Sequence, residues 1–148
     1  MDRYRNQEIG FVFQFHHLLP QCTLLENVLV PTLIHTGKAE RAEKQERAKS
    51  LMKRVGIWEY RSKLPGKLSG GECQRAAVVR AMINAPSILL ADEPTGALDR
   101  DNVEVMADLL LDLNQEDGLT LLVVTHSIDL ARRMGKTLTF KNGKLGQI

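Results

Sequence analysis

The order of apolar runs and helical periodicities along this chain predicts an α/β domain built on a mostly parallel sheet. Three observations carry the prediction. Residues 9–13, 88–91 and 119–125 are short runs rich in Ile, Val, Leu and Phe, near-continuously apolar rather than alternating, as expected of parallel strands covered on both faces. Helical patterns lie between and after these runs. The C-terminal stretch reads as a hairpin, residues 137–140 and 145–148 flanking an Asn142-Gly143 turn.

Each element has its own signal. A mainly helical insert is expected from about Leu18 to Leu68, between the first strand and the next helix. Its charged stretch, residues 38–54, contains Glu40→Lys44 and Glu43→Arg47, oriented i,i+4 pairs that predict a solvated helix face. Ala48, Leu51, Met52 and Val55 form the apolar stripe at its end. Ser69 with Glu72 forms a capping box that opens a helix through Ile83. After the second strand, Val103, Met106, Leu110 and Leu113 draw one buried stripe at helical spacing.

Composition bounds the function. The 148 residues hold 20 Lys+Arg against 18 Asp+Glu, and the resulting net charge of +2 gives no argument for nucleic acid as a partner. An apolar fraction of 43% suits one globular domain with its own core. Only Cys22 and Cys73 occur, in no CxxC pair, which suits a reducing compartment. No apolar run approaches the roughly 20 residues that span a bilayer, and residues 1–8 show no secretory h-region. A cytoplasmic domain is expected.

In open parallel sheets ligands bind beyond the carboxyl ends of the strands. Here those ends carry Gln14, Asp92-Glu93 and His126, which should face one rim. An Asp placed like Asp92 holds Mg²⁺ in P-loop NTPases, and an acid directly after it, as Glu93 is, can polarise a water. Acids that merely begin a polar loop explain the same pair. Gly70 and Gly71 are costly in a first helical turn and invite close backbone approach to an anion, with the helix dipole behind it. Glu72 opposes an anion there unless its side chain points back to the cap. The adjacent His16-His17 rarely both reach one ion, so no metal site is read from them.

Taken together, Gln14, then Leu68-Ser69-Gly70-Gly71-Glu72-Cys73-Gln74, then Asp92-Glu93-Pro94-Thr95-Gly96-Ala97-Leu98-Asp99, then Thr125-His126 closely resemble the ATP-binding-cassette (ABC) ATPases over essentially the whole chain. The resemblance implies a P-loop NTPase-like core, residues 1–17 and 69–148, with a helical subdomain at about 18–68 that docks on integral membrane permease subunits. It implies ATP and Mg²⁺ as cofactors. Asp92 becomes the Walker B aspartate, Glu93 the catalytic base, and Gln14 the glutamine that senses Mg²⁺ and the attacking water. His126 becomes the switch histidine near the γ-phosphate. Ser69, Gly70 and Gly71 belong to the signature that contacts ATP held by the opposite subunit, and Asp99 to the D-loop at the dimer interface. A homodimer or a partner ATPase subunit follows, on the cytoplasmic side of the inner membrane.

The tract from Arg5 to Pro20, above all Phe15-His16-His17-Leu18-Leu19-Pro20, looks like the LolD branch, the ATPases of bacterial lipoprotein release. Glu72 and residues 92–99 fit related macrolide- or peptide-efflux and cell-division ATPases as well. One family motif, GxxxxGK[ST], does not occur. Gly66 and Gly71 have the spacing but are followed by Glu72-Cys73, and Gly135-Lys136-Thr137 has Leu130 where the first Gly belongs. The chain is therefore expected to correspond to the C-terminal part of such an ATPase, with the phosphate loop and its strand missing, a sheet edge open and autonomous ATP binding impaired.

Overall fold

A computed structural model describes residues 7–33 and 38–147. The three apolar runs form β1 (Ile9–Val12), β2 (Ile88–Asp92) and β3 (Thr120–Val124), all parallel and ordered β1-β2-β3. Gly10, Leu89 and Leu121 pair across the sheet, as do Val12, Ala91 and Val123, so these six share one face. Five α-helices occur among the described residues: α1 (Leu24–Leu29), α2 (Lys38–Arg54), α3 (Gly70–Met82), α4 (Arg100–Asp117) and α5 (Ile128–Arg133). Strands β4 (Leu138–Lys141) and β5 (Lys144–Gln147) form the expected hairpin, with Asn142 and Gly143 at φ 51° and 75°, the left-handed pair of a type I′ turn. Arg5 and Asn6 of the branch-specific tract, and Ile148 of the hairpin, lie outside the described residues.

The core sits between the sheet and the helices. Val12, Leu89 and Ala91 meet Ala76, Val79 and Ile83 of the α3 region and Met106, Leu110 and Leu113 of α4. Fully burying one Leu or Met side chain contributes about 1.5–3 kcal/mol. Helix α3 crosses β1 at Gly10, where a Cβ would stand 2.7 Å from the Ala81 carbonyl oxygen and 2.9 Å from Leu89 Cδ1. Only glycine lets the two backbones approach this closely.

One expectation needs correction here. Continuous apolarity predicted strands covered on both faces, but α3 and α4 cover the same one. On the other, Phe11, Leu122 and Val124 are 40%, 56% and 59% exposed among the described residues. β1 and β3 are the sheet's edges.

The insert is stapled to itself and to α3. Thr23 and Glu26 make a reciprocal capping box at α1, and the Leu24 and Leu25 amides donate to the carbonyls of Lys63 and Arg61, at 2.9 and 3.0 Å. A second correction falls in α2. Arg47 does not pair with Glu43; its guanidinium donates to the Met82 and Ile83 carbonyls at 3.0 and 3.1 Å, at the C-terminal end of α3, where the Met82 carbonyl also accepts the Ala85 amide. Among the described residues, α2 pairs Lys49 with Glu46 along its own face, at 3.7 Å. Its last residue, Arg54, reaches Glu116 and Asp117 at the end of α4, both at 2.8 Å.

Candidate active site

Because the three strands are parallel, their C-terminal ends open on one rim, and the polar residues that follow each strand meet there. Glu93 is the centre. Its N–H donates to the Val124 carbonyl at 2.8 Å, extending the β2–β3 ladder by one residue. Its carboxylate accepts the Thr125 hydroxyl at 3.1 Å and the His126 amide at 2.7 Å. The His126 Nε2 stands 3.6 Å from the same carboxylate, with the imidazole fully solvent-exposed. Glu93 has φ 46°, a left-handed conformation that a non-glycine residue adopts at a cost of order 1 kcal/mol or more.

Asp92 ends β2, exposed. Gln14 follows β1 and lies over Gly96; a Cβ on Gly96 would stand 3.0 Å from the Gln14 Nε2. Gln14 thus lies against the loop after Glu93, as the rim argument requires.

Ser69, Gly70, Gly71 and Asp99 form a second group, at the N-termini of α3 and α4. Ser69 caps α3: its amide and hydroxyl both donate to Glu72 Oε2, at 2.7 and 3.0 Å, while its oxygen accepts the Glu72 amide. Glu72 points back to the cap, the geometry that frees the turn for an anion. Burial raises the Glu72 pKa, but the Ser69 hydrogen bonds, the Tyr60 side chain and the Arg75 charge together hold it below the usual carboxylate range.

The two glycines differ. Gly70 is exposed with open space around it, whereas Gly71 is buried and a Cβ there would overlap the Asn102 carboxamide. Gly71 is therefore a packing glycine between α3 and α4, and of the two only Gly70 has open space around it. Asn102 joins the group: its amide and side-chain nitrogen donate to Asp99, and its side-chain oxygen accepts from Arg75 at 3.3 Å. The bonds from Asn102 hold the Asp99 pKa below its ordinary value. Among the described residues no hydrogen bond joins Ser69 or Asp99 directly to Glu93.

With this geometry in hand, residues 1–96 match the ABC transporter family. The chain belongs to that family. The dimeric structure of MJ0796, a bacterial ABC transporter cassette, is 40% identical with a TM-score of 0.84, over 99% of this chain and 65% of that one. The post-hydrolysis dimer of MJ0796 bound to ADP and Pi is 37% identical, with a TM-score of 0.79. cbiO1 from Clostridium perfringens, part of the ABC transporter complex cbiONQ, is 26% identical with a TM-score of 0.85, over 97% of this chain and 57% of that one. This ABC-family chain thus spans less than two thirds of the length of these relatives, and its sheet and helices match their cassette fold. No helix among the described residues is long and apolar enough to cross a membrane.

The rim of this ABC-family chain fits a hard cation in part. Asp92 and Gln14 offer oxygen donors, and Mg²⁺ is commonly held by one or two carboxylates with phosphate and water completing the shell. No cluster of three His, Cys, Asp or Glu side chains that could hold a metal without such help occurs among the described residues.

Sequence reasoning assigned no role to Asn102, and none to Gln74 or Arg80. The signal for Gln74 was available, since it is an amide on the apolar face formed by Cys73, Ala76 and Ala77.

Two predictions arise here. Gly71→Ala should destabilise the chain by about 1–3 kcal/mol through overlap with Asn102. In an Asn102→Ala background, where the overlapping atoms are gone, the added cost of Gly71→Ala should largely vanish, read as melting temperature. Equal losses with and without the second change would remove the contact as the cause.

The second concerns His16, whose Nδ1 accepts the Leu18 amide at 3.1 Å while Arg80 donates to the His16 and His17 carbonyls at 2.8 Å each. Burial, then the charges of Arg80 and His17, lower its pKa. The fold therefore favours the neutral ring. Its contribution is complete above the ordinary histidine value of roughly 6.5 and declines as pH falls through the lower folded value. The protection factor of the Leu18 amide, its exchange corrected for the base-catalysed intrinsic rate, should fall on acidification from pH 7.5 to 5.5, and His16→Ala should abolish that fall.

Proposed function

We propose that the chain carries the ATP-hydrolysing rim of an ABC transporter cassette, in the LolD-like branch that drives lipoprotein release from the inner membrane. The observation that supports it most is Glu93: a carboxylate at a parallel-sheet rim, held by Thr125 and His126 in a backbone conformation that glutamate adopts only under constraint. Such a group is placed to take a proton from a water, as general base. Asp92 and Gln14 would hold Mg²⁺, and His126 would stand near the γ-phosphate. Bound ATP–Mg²⁺ supplies the electrophilic phosphorus and neutralises charge on the oxygens around it.

Ser69 and Gly70, with Gly71 and Asp99 behind them, face ATP held by the opposite subunit, so the working unit is a homodimer or a pair with a partner ATPase subunit. Residues 18–68 are the helical subdomain that docks on the permease subunits, and residues 1–17 and 69–148 belong to the RecA-like core. The chain then sits on the cytoplasmic side of the inner membrane. Phe15-His16-His17-Leu18-Leu19-Pro20 supports the lipoprotein-release branch; Glu72 and residues 92–99 suit macrolide- or peptide-efflux and cell-division relatives equally.

A second reading, an inactive cassette that acts only by docking to partners, is favoured by one observation: no GxxxxGK[ST] occurs in the 148 residues. Isothermal titration with ATP–Mg²⁺ separates the two. Micromolar binding supports the hydrolytic reading for this polypeptide. No binding by a chain whose circular dichroism is that of the folded domain would remove the hydrolytic reading for these 148 residues taken alone.

A further inference from the structure

Gln74 is 2% exposed, and it sits early in α3, five residues after the Ser69 cap. Its side-chain nitrogen donates to the Phe13 carbonyl at 2.7 Å and to the Pro94 carbonyl at 3.1 Å. Phe13 directly precedes Gln14, and Pro94 directly follows Glu93. One buried NH₂ group, with both of its protons used, therefore ties together the backbone beside each of the two rim residues.

Other side chains do this poorly. A carboxylate would set acceptors against two acceptors, and an apolar side chain would leave both carbonyls without a donor in a buried place. The seating of Gln14 over Gly96 adds an independent contact between the same two loops.

We infer that Gln74 is a positioning residue that fixes the spacing of Gln14 and Glu93 and couples both to the first turns of α3. The functional meaning of that spacing rests on the hydrolytic reading above; the coupling itself does not. A displacement at Ser69 and Gly70 is carried along the helix to Gln74 and from there to both loops at once. Ligand contact at the signature turn would then be felt at the hydrolytic residues with no side chain of the turn touching them.

The test uses the 148-residue chain without nucleotide, so it stands or falls separately from ATP binding. Carbonyl ¹³C resonances of Phe13 and Pro94, and exchange of the Leu18 and Gly96 amides, are followed in Gln74→Leu and Gln74→Glu. In Gln74→Leu both carbonyl signals should shift, and both amides should exchange roughly tenfold faster, while the β2–β3 amides keep their protection.

Gln74→Glu supplies the readout that a space-filling role would not move. The protonated acid can donate one hydrogen bond and the carboxylate none. Both carbonyls should therefore sense one shared midpoint, with one of them regaining its donor in the low-pH form, and this transition should come on top of the pH dependence that wild type and Gln74→Leu have in common. Separate midpoints, no transition in Gln74→Glu, or loss of protection spread through the β2–β3 amides would overturn the assignment. Should Gln74→Leu fail to fold, the pH dependence of Gln74→Glu still decides.

Discussion

In a complete cassette, with this rim joined to a phosphate loop, the proposed role of Glu93 predicts that Glu93→Gln lowers ATP turnover about 10²–10⁴-fold, the usual contribution of a positioned general base. The substitution is informative because the local structure can survive it. A glutamine oxygen can accept the His126 amide as the carboxylate does, and the glutamine nitrogen can donate to the Thr125 oxygen once that hydroxyl turns away. The left-handed backbone is the same for either side chain. Melting temperature and ATP binding should therefore change little while phosphate release collapses. Turnover near wild type would remove Glu93 as base, and a parallel loss of binding and stability would make it a structural residue.

Gly10→Val should have the largest effect on stability. Its Cβ would meet the Ala81 carbonyl oxygen at 2.7 Å and Leu89 Cδ1 at 2.9 Å, and the first of these is backbone that cannot rotate away. Helix α3 would have to lift from β1, opening the buried contacts around Val12 and Val79. Overpacking typically costs about 1–3 kcal/mol, and a backbone collision at a helix–strand crossing belongs at or above the upper end. For a domain of this size that is roughly a 6–12 °C fall in melting temperature. Gly66→Ala, where nothing lies within 4 Å, serves as control and should shift it little. A tolerated Gly10→Val would mean that α3 and β1 are less tightly docked than described.

These two positions also show what sequence can and cannot convey. The strands, the Ser69–Glu72 cap and the Asn142-Gly143 turn were legible because each signal is local: an apolar run, a three-residue spacing, a dipeptide. So was the meeting of Glu93 and His126, since parallel strands share a rim. Gly10 looked like any small residue in a strand, because the reason for it lies in α3, some seventy residues away. The same holds for Gly71, whose neighbour is Asn102, and for Arg47, which left its expected partner Glu43 for the end of another helix. The bare face of the sheet was illegible for a different reason. Apolarity reports that a side chain avoids water, and Phe11 and Leu122 read alike whether or not a neighbour covers them.

The way β1 joins β2 has a consequence for how the chain folds. Ile9 pairs with Ile88, so the first strand must find the second across almost eighty residues, and loop-closure entropy sets itself against that search. The bonds from Leu24 and Leu25 to Lys63 and Arg61 shorten the journey. Once they form, the insert travels as one body, and the effective loop is about halved, which lowers the closure term by about 0.6 kcal/mol. These bonds give the segment between β1 and α3 the geometry of a tether during folding: assembly that starts there would leave β1, and Gln14 just after it, to join the sheet late.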